Sequence, residues 1–362
     1  MDAATPGRTV SANIRPRRLP VAQAELSRDG WQLEPPLKRR LLERIRAAGK
    51  PLGEYVNGRF YRGILTGLNE AFVIDGATRA RLIGEDPKSA EIIKPFLRGR
   101  DVKRWRVEAK DLWLIFTRRP FAIEQYPAIL AHLTQFKTQL MPKPDDWDDK
   151  RDGTWPGRKA GSYQWYEIQD NIAYWQEFEQ PKIIYPDIAL SPQFAWDNDH
   201  RYIANTAYII PCVEQWLLAI LNSSICAWFY GQISPQIQNG YYRFIAQYCE
   251  QIPIVEASCA AIFDGLLRAL LVGVSEAPRF EQLINGLVFE LFFPDDLHRA
   301  HIRLFDACEQ AGIAQLAALK GQALNDAAHD LAARLFAPDH PLTALLFNLQ
   351  ALDVVRLIEG RE

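Results

Sequence analysis

The spacing of apolar side chains divides this chain into a front part of short, mixed elements and a back part of helices. Apolar residues at helical spacing, followed by a glycine and a proline, predict a first helix over residues 36–48. Short apolar runs that are typical of strands follow at 60–65, 71–74, 112–116, 182–185 and 202–210. The uncharged run at 217–230 predicts a buried helix, so we expect the front part to mix helices with strands.

Beyond Ile254 the apolar pattern becomes leucine-rich and helical. Helices are predicted at 260–272, 280–292, 300–311, 313–335 and 342–358, separated by prolines and by Gly312. The expected fold class is therefore α+β, with a mixed α/β domain followed by an all-helical C-terminal domain. The predicted boundaries are 1–34 for a flexible arm or linker, 35–255 for the mixed domain and 256–362 for the helical domain.

Length and composition limit the class of protein. The chain has 362 residues, of which 48% are hydrophobic, so it can bury one large core or two smaller ones. It contains no run of eighteen apolar residues, and its basic start lacks the apolar segment of a signal peptide. The five cysteines form no close pair, which fits reduced thiols. These features predict a cytoplasmic protein that does not interact with a membrane.

Charge is distributed unevenly along the chain. The first 106 residues hold 22 Lys and Arg against 12 Asp and Glu, a balance of +10, and the remainder holds 20 against 32, a balance of −12. A basic surface neutralises phosphates, and an acidic remainder limits unspecific binding. The same charges would also suit the solvated face of a helix, so charge alone leaves a nucleic-acid partner open.

Two motifs near the front carry groups suited to nucleic-acid contacts. GILTGLNEAFVI occupies 63–74, and IIKPFLRGRDVKRW occupies 92–105. Arginine can donate paired hydrogen bonds to a guanine edge and asparagine can pair with an adenine edge, whereas phosphate contacts set the register. The candidates are Arg98, Arg100 and Arg104 for guanine, Asn69 for adenine, Lys103 and Arg62 for phosphate, and Thr66 within the first motif. In the alternative interpretation these charges are structural, with Asp101 capping a turn and pairing with Arg104.

After the two front motifs, two polar segments add candidates for DNA binding, and we call residues 234–244 the second polar segment and residues 154–167 the third polar segment. The segment SPQIQNGYYRF at 234–244 contributes Gln236, Gln238, Asn239, Tyr242 and Arg243. The segment TWPGRKAGSYQWYE at 154–167 contributes Arg158, Lys159 and Tyr163, which alternate with tryptophans as in a nucleic-acid groove. An ordinary polar connection for the second polar segment and core tryptophans for the third are the alternatives.

Together with NTAYIIP at 205–211, LLAILNSSICAWFY at 217–230 and YCEQIPI at 248–254, the two front motifs resemble the TaqI-like C-terminal specificity domain. The resemblance covers roughly residues 31–254, and its anchors follow the order of the family. It implies the target-recognition module of adenine-specific DNA methyltransferases and fused restriction-modification enzymes. It also implies that strands around Ile64 and Ile93 support loops that face double-stranded DNA.

The sequence lacks the motifs of the methyl-transfer site itself. Transfer to adenine uses a clamp of the Asn-Pro-Pro-Tyr type, and the nearest approach, Glu34-Pro35-Pro36-Leu37, has neither the amide nor the aromatic ring. No GxxxxGK[ST] loop and no dinucleotide fingerprint occurs either. We therefore expect no catalytic residue and no cofactor in this chain, and we expect S-adenosylmethionine on a partner methyltransferase or restriction domain or subunit.

Three alternatives to DNA recognition are weaker. The chain would serve as a scaffold subunit of a restriction or phage-defence assembly if its helical domain docks a partner. Asp145, Asp148 and Lys150 resemble the carboxylate and lysine set of a magnesium-dependent nuclease, but they lie within a single predicted loop. His298, His301 and Cys308 lack the fourth ligand of a zinc site, so no metal site is expected.

Overall fold

The computed structural model of the protein describes residues 36–257, 260–273 and 276–361. The chain divides into two compact units, Met1–Arg44 and Ile45–Glu362. Of the first unit only residues 36–44 are described, and they form the first part of helix α1 (Pro36–Ala48). The arm or linker predicted at 1–34 lies outside the described residues, as does Cys259.

Short strands and helices alternate in the front part of the second unit. The strands are β1 (Lys50–Pro51), β2 (Tyr61–Arg62), β3 (Val73–Asp75), β4 (Ile93–Leu97), β5 (Leu112–Ile115), β6 (Lys182–Pro186), β7 (Ile188–Ala189), β8 (Ala195–Asp197), β9 (Tyr202–Ile203), β10 (Ala207–Pro211), β11 (Tyr242–Arg243) and β12 (Pro253–Ile254). The helices are α2 (Leu52–Tyr55), α3 (Asn69–Phe72), α4 (Gly76–Glu85), α5 (Pro127–Thr134), α6 (Lys137–Leu140), α7 (Asp149–Asp152), α8 (Leu217–Leu221), α9 (Ser224–Ile233) and α10 (Ala246–Cys249).

Two four-stranded sheets organise this front part. One has the order β2-β10-β6-β8 and is antiparallel, and the other has the order β3-β5-β4-β9, in which β4 and β9 are parallel. The pairs β1–β12 and β7–β11 form two-stranded sheets. Strands β9 and β10 follow one another in the chain but belong to different large sheets. The turn between them, residues 204–206, therefore joins the two large sheets.

The two large sheets share one hydrophobic core. Phe96 and Ile203 of one sheet and Ile184 and Ile209 of the other belong to the same buried cluster. Strand β6 is buried along its whole length, including Lys182, whose ammonium lies 2.7 Å from a carboxylate oxygen of Asp197. That ammonium also donates to the backbone oxygen of Phe178 at 2.6 Å, so the buried charge is compensated. Because both sheets pack into one core, the turn that joins them is supported from two sides.

Several predicted elements of the front part are confirmed. The predicted helix at 36–48 is α1, and the predicted strands at 112–116 and 182–185 are β5 and β6. The run at 202–210 forms β9 and β10 rather than one strand, because the junction between the two sheets interrupts it.

Two other predictions of the front part are wrong in detail. At 71–74 only Val73 and Ile74 are in a strand, since Ala71 and Phe72 end helix α3. The helix predicted at 217–230 is broken between α8 and α9. The break occurs because the Ser223 hydroxyl accepts from the backbone N–H of Cys226 at 3.1 Å and starts a new helix there.

The described residues beyond 256 form helices and no strand. The helices are α11 (Ala260–Leu271), α12 (Ala277–Phe292), α13 (Pro294–Arg299), α14 (Leu304–Gln310), α15 (Gly321–Leu335), α16 (Pro341–Leu349) and α17 (Asp353–Ile358). This arrangement confirms the α+β class with a helical C-terminal region. Helix α12 packs against α8 and α9, and the domain boundary predicted at residue 255 stays a prediction.

The cysteines of the described part are thiols rather than disulfides. Cys226, Cys249 and Cys308 are buried, and Cys212 is partly buried. Burial raises the pKa of Cys212 and of Cys249 to about 12, so neither thiol ionises at neutral pH. In the same part of the chain, no helix is both long enough and apolar enough to cross a membrane.

Candidate nucleic-acid interface

The turn at residues 204–206, the junction turn, touches both motifs of the front part. A Cβ atom on Gly63 of the first motif would lie 2.0 Å from the backbone oxygen of Ala204. A Cβ atom on Gly99 of the second motif would lie 2.4 Å from the backbone oxygen of Thr206. Both positions require glycine because the backbones approach so closely. Three of the stretches that carry the family resemblance therefore meet at one place.

Hydrogen bonds fix the junction turn to both motifs. The backbone N–H of Asn205 donates to the Ile64 oxygen at 3.1 Å, and that of Ala204 donates to the Leu97 oxygen at 2.8 Å. The backbone N–H of Gly99 donates to the Thr206 hydroxyl at 3.1 Å. Side chains presented here stand on a rigid support, which is what base discrimination requires.

A cleft of about 650 Å³ opens beside the junction turn. Its walls come from the two motifs, the junction turn, the segment after β6 and the second polar segment. The lining residues include Asn69, Arg98, Gly99, Arg100, Val102, Lys103, Asp187, Ile188, Leu190, Gln193, Asn205, Thr206 and Tyr241. Residues that are far apart in the sequence, and that were selected by separate motifs, thus share one cavity.

Arg98 lines the cleft but is already paired. Its guanidinium donates to both carboxylate oxygens of Asp101, at 2.8 and 2.9 Å, and its backbone N–H donates to the same carboxylate at 3.0 Å. Burial raises the pKa of Asp101, yet the hydrogen bonds and charge of Arg98 outweigh burial and hold that pKa below its usual range. Asp101 caps the turn as expected, but its partner is Arg98 and not Arg104.

Arg100 and Lys103 are the cations that the second motif presents to the cleft. Arg100 is exposed, and no side-chain partner for it is found among the described residues. Lys103 is partly buried and donates from its ammonium to the backbone oxygen of Arg100 at 2.8 Å. Neither cation forms an ion pair with a carboxylate in the described part of the chain, although the charge of Arg100 helps to lower the pKa of Asp101. Both side chains therefore remain available to an anionic partner.

Arg104 must be removed from the candidate set. Its guanidinium forms an ion pair with Glu281 of α12 and donates to the backbone oxygen of Asn222 at 2.9 Å. It also lies over the ring of Trp105, with 4.9 Å between its central carbon and the ring centroid. Arg104 is absent from the cleft lining, so it links the loop to the helical region instead of facing a ligand.

The first motif supplies one accessible candidate and one buried one. Thr66 is buried, and its hydroxyl donates to the Asn69 side-chain oxygen at 2.8 Å. Thr66 therefore cannot contact DNA, which corrects the prediction. Asn69 is exposed in the cleft and keeps its amide N–H groups for a ligand. Arg62 is exposed, and its Nε donates to the Asn205 oxygen at 3.0 Å, which further fixes the junction turn.

The second polar segment lies beside the cleft. Gln236 donates from its amide to the Tyr242 hydroxyl at 2.8 Å, and both Gln238 and Asn239 are exposed. Arg243 does not point a free cation at the cleft, because it forms an ion pair of 3.0 Å with Asp187. Tyr241, next to the predicted Tyr242, is the residue of this segment that lines the cleft.

The third polar segment is largely internal, which corrects its interpretation as a nucleic-acid groove. Arg158 is buried, and its guanidinium donates to the backbone oxygens of Leu140, Thr66, Glu167, Gln164 and Trp165 at 2.8 to 3.2 Å. Burial lowers the pKa of Arg158 to about 10. Tyr163 is buried against this guanidinium. Only Lys159 of the three predicted residues is exposed, and it does not line the cleft.

The residues of the nuclease and zinc-site alternatives do not come together as a site in the described part of the chain. Asp148 caps α7 by accepting from the backbone N–H of Lys150 at 2.9 Å, and Asp145 is exposed in the preceding loop. His298 lies 2.9 Å from a carboxylate oxygen of Glu290. Within residues 36–257, 260–273 and 276–361, no group of three or more His, Cys, Asp and Glu side chains is placed to hold a metal ion.

Sequence reasoning missed two parts of the cleft. The segment after β6 contributes Ile188, Leu190 and Gln193, and the junction turn contributes Asn205 and Thr206. The turn belongs to NTAYIIP, so the resemblance marked it without assigning it a contact. The segment after β6 carries no charge-rich motif, and only its place between two strand-like runs distinguishes it.

The comparison with protein families agrees with this geometry. Residues 94–254 match the model of the family described as the TaqI-like C-terminal specificity domain. The match confirms the resemblance. The matched range contains Arg100, Lys103, the junction turn and the second polar segment, whereas the first motif at 63–74 precedes it.

Two similar proteins are much longer than this chain. The type II methyltransferase M.PaeR7I of Pseudomonas aeruginosa is 24% identical over 273 residues, which are 72% of this chain and 42% of that protein. The type IIL restriction-modification enzyme MmeI, solved in complex with DNA, superimposes with a TM-score of 0.41 at 14% identity, covering 83% of this chain and 35% of that one. This chain thus spans less than half of the length of either protein.

Proposed function

We propose that this chain is the DNA target-recognition part of an adenine-specific methyltransferase or restriction-modification system. The observation that carries the proposal is the junction turn, where separate motifs meet beside a cleft that displays Arg100 and Lys103. The match of residues 94–254 to a specificity domain supports it. In this proposal the chain selects the sequence, and another domain or subunit transfers the methyl group or cuts the DNA.

The two cations have different tasks in the proposed complex. Arg100 stands on the turn that directly follows β4, so its planar guanidinium is suited to the two acceptors of a guanine edge. Lys103 is a point charge on a flexible stem, which suits a phosphate. Asn69 has amide N–H groups free for a base or a phosphate. These contacts would distinguish sequences because the junction turn keeps the loop in one position.

Methyl transfer is assigned to the partner. The proposed partner carries S-adenosylmethionine and the clamp for the flipped adenine, neither of which has a motif in this sequence. The similarity to a type II methyltransferase that is longer than this chain fits that division of labour. The partner would also add phosphate contacts, so the affinity of the chain by itself is expected to be lower than that of the assembly.

Selection from a pool of random duplexes tests the proposal. The chain is incubated with the pool at about 50 mM salt, where phosphate contacts are strong, and bound duplexes are amplified and sequenced. We expect one motif to be enriched. Enrichment of none, at this salt and in the presence of a candidate methyltransferase partner, would contradict the proposal, and cutting of the pool after addition of Mg²⁺ would favour the nuclease alternative.

Charge variants locate the binding surface. The variants Arg100→Ala and Lys103→Ala should each weaken binding to the selected duplex, and Lys103→Ala should reduce the slope of log affinity against log salt by about 1. Lys320→Ala is the matched control, because it removes one exposed cation in the helical region. Arg100→Ala should in addition relax the choice of base at one position, since only a base contact carries sequence information. Equal loss in the control would place the binding surface elsewhere.

A further inference from the structure

Apolar side chains stand exposed on the rim of the basic cleft. Ile188 is 51% exposed and Leu190 is 56% exposed, whereas Ala189 between them is buried. Tyr241, which is 37% exposed, lines the same cleft. Large aliphatic side chains exposed side by side usually mark a contact surface. Their position next to Arg100 and Lys103 suggests a partner that is both anionic and locally apolar.

Ile188 belongs to a short two-stranded ribbon formed by β7 and β11, and Leu190 and Tyr241 directly adjoin these strands in the chain. Ala189 pairs with Tyr242, and Ile188 pairs with Arg243, in antiparallel register. Side chains alternate along a strand, and the exposed Ile188 and Leu190 flank Ala189 in the chain. The observed burial of Ala189 agrees with this alternation.

The ribbon is anchored at its base to the junction turn. The backbone N–H of Asp187 donates to the Thr206 oxygen at 2.9 Å, and the backbone N–H of Phe244 donates to the Asp187 oxygen at 2.7 Å. The rings of Phe244 and Tyr230 stack behind the ribbon, with 4.3 Å between their centroids. The ribbon and the loop of Arg100 are both hydrogen-bonded to the junction turn, so their relative position is fixed.

The charges around the ribbon favour a phosphate-bearing partner over a protein. The Asp187 carboxylate at the base of the ribbon is neutralised by Arg243, while Arg100 and Lys103 form no ion pair among the described residues. Gln193 adds a side-chain amide with no hydrogen-bond partner within that part of the chain. Apolar side chains, two cations without an ion pair and a free amide thus line one cleft, and the bases and phosphates of a DNA groove offer partners for all three.

We propose that the β7–β11 ribbon enters the major groove and that Ile188 and Leu190 contact the C5-methyl groups of thymine. The inference rests on the proposed function and names the chemical group that the cleft recognises. The major groove is wide enough for a two-stranded ribbon, and the thymine methyl is the apolar group that its floor presents. Arg100 and Lys103 then lie near the adjacent base edges and phosphates.

Replacement of thymine by deoxyuridine tests this contact, because it removes the methyl group and leaves base pairing intact. In the duplex obtained by selection, each thymine is replaced in turn, and the affinity of the full chain is measured by fluorescence anisotropy. We expect a loss of about fourfold at one or two positions, the factor that corresponds to burial of one methyl group. The variants Ile188→Ala and Leu190→Ala should bind the thymine and deoxyuridine duplexes equally at those positions.

Phe347→Ala is the matched control, since Phe347 is an exposed apolar residue of α16 in the helical region. It should keep the full preference for thymine, and all three variants should keep the circular dichroism spectrum and thermal midpoint of the parent chain. A selected motif without thymine dependence, or a dependence that survives in Leu190→Ala and Ile188→Ala, would overturn the inference and leave sequence recognition standing. Failure to select any motif would instead count against the proposed function.

Discussion

Asp101 shows how one carboxylate organises the candidate DNA-binding loop. It accepts hydrogen bonds from the backbone and from the guanidinium of Arg98, and its side chain is 4% exposed. Without this carboxylate, the turn that carries Arg100 would lose its cap. The pairing also engages the guanidinium of Arg98, whereas the exposed guanidinium of Arg100 has no hydrogen-bond partner among the described residues.

The variant Asp101→Asn should therefore destabilise the protein at neutral pH. An amide can still accept from the Arg98 backbone, but it loses the charge-assisted bonds to the guanidinium, so we expect a loss of about 1.5–3 kcal/mol in the free energy of unfolding. Denaturation by urea at pH 7 measures it. Asp145→Asn, which changes an exposed carboxylate in a loop, is the control and should change little.

The same variant has a defined pH dependence. The pKa of Asp101 in the folded protein lies below its ordinary value of 3.8, so the unfolded chain binds the proton first as the pH falls. The stabilisation by the pair is then fully present above about pH 5 and is lost as the pH falls through the folded pKa. The stability difference between parent and Asp101→Asn should be constant from pH 5 to 8 and should shrink below pH 4. A difference that persists unchanged at pH 3 would show that charge plays no part.

Single residues also show where sequence reasoning stops. Arg158 and Lys159 are adjacent and equally basic, yet one is buried among five backbone oxygens and the other is exposed. The sequence predicts both as DNA contacts because composition does not reveal which side chain the fold turns inward. Arg98 and Arg100 differ in the same way, since only the turn geometry decides which of them Asp101 binds.

At the scale of elements, the contact between Gly99 and the junction turn holds together two walls of the cleft. The variant Gly99→Ala would place a Cβ atom 2.4 Å from the Thr206 backbone oxygen. Backbone must shift to relieve this overlap, so we expect a loss of about 1–3 kcal/mol in stability, as in other overpacked sites. DNA binding by the folded fraction should fall as well, because the loop of Arg100 would move with its glycine.

Gly84→Ala is the matched control for this substitution. Gly84 lies in helix α4, and a Cβ atom there meets nothing within 4 Å. Alanine in a helix is favoured over glycine, so this variant should gain about 0.5–1 kcal/mol and bind DNA as the parent does. A Gly99→Ala variant as stable as the parent would show that Gly99 and the Thr206 backbone do not approach each other this closely.

The elements that the sequence predicts well are those whose pattern is local. The first helix and strands β5 and β6 follow from periodicity over a few residues. The junction turn, the ribbon and the break between α8 and α9 depend on partners far along the chain, such as Ile64 for Asn205. The family resemblance assigns these distant motifs to one domain, whereas periodicity describes each segment separately and cannot predict that they meet.

At the scale of the whole molecule, the helical region is joined to the front part by packing and by polar contacts. Asn285 of α12 accepts at its side-chain oxygen from the backbone N–H of Ser224 at 2.9 Å and from the Ser224 hydroxyl at 3.0 Å. Arg104 pairs with Glu281 of the same helix. The loop that carries Arg100 and Lys103 is therefore tied at its far end to the helical region.

A fragment of residues 36–257 should not fold as a cooperative unit. All five residues of α8 are buried, and α12 and α17 cover α8 and α9 in the complete chain. Removing the helical region would expose this uncharged surface to water, at a cost of about 25 cal/mol for each Å² of apolar area, against a total stability of only about 5–15 kcal/mol for a typical domain. Size-exclusion chromatography and near-ultraviolet circular dichroism should show an associated fragment without fixed aromatic packing.

Glu281→Gln in the full chain separates packing from the ionic link. Because the Arg104–Glu281 pair is partly exposed, this variant should lose no more than about 1 kcal/mol and keep cooperative unfolding. If the fragment instead unfolds cooperatively as a monomer, the boundary near residue 255 separates independent domains, and the helical region would serve a partner rather than the core. If Glu281→Gln alone abolished cooperativity, the ion pair rather than the buried face of α8 would hold the two parts together.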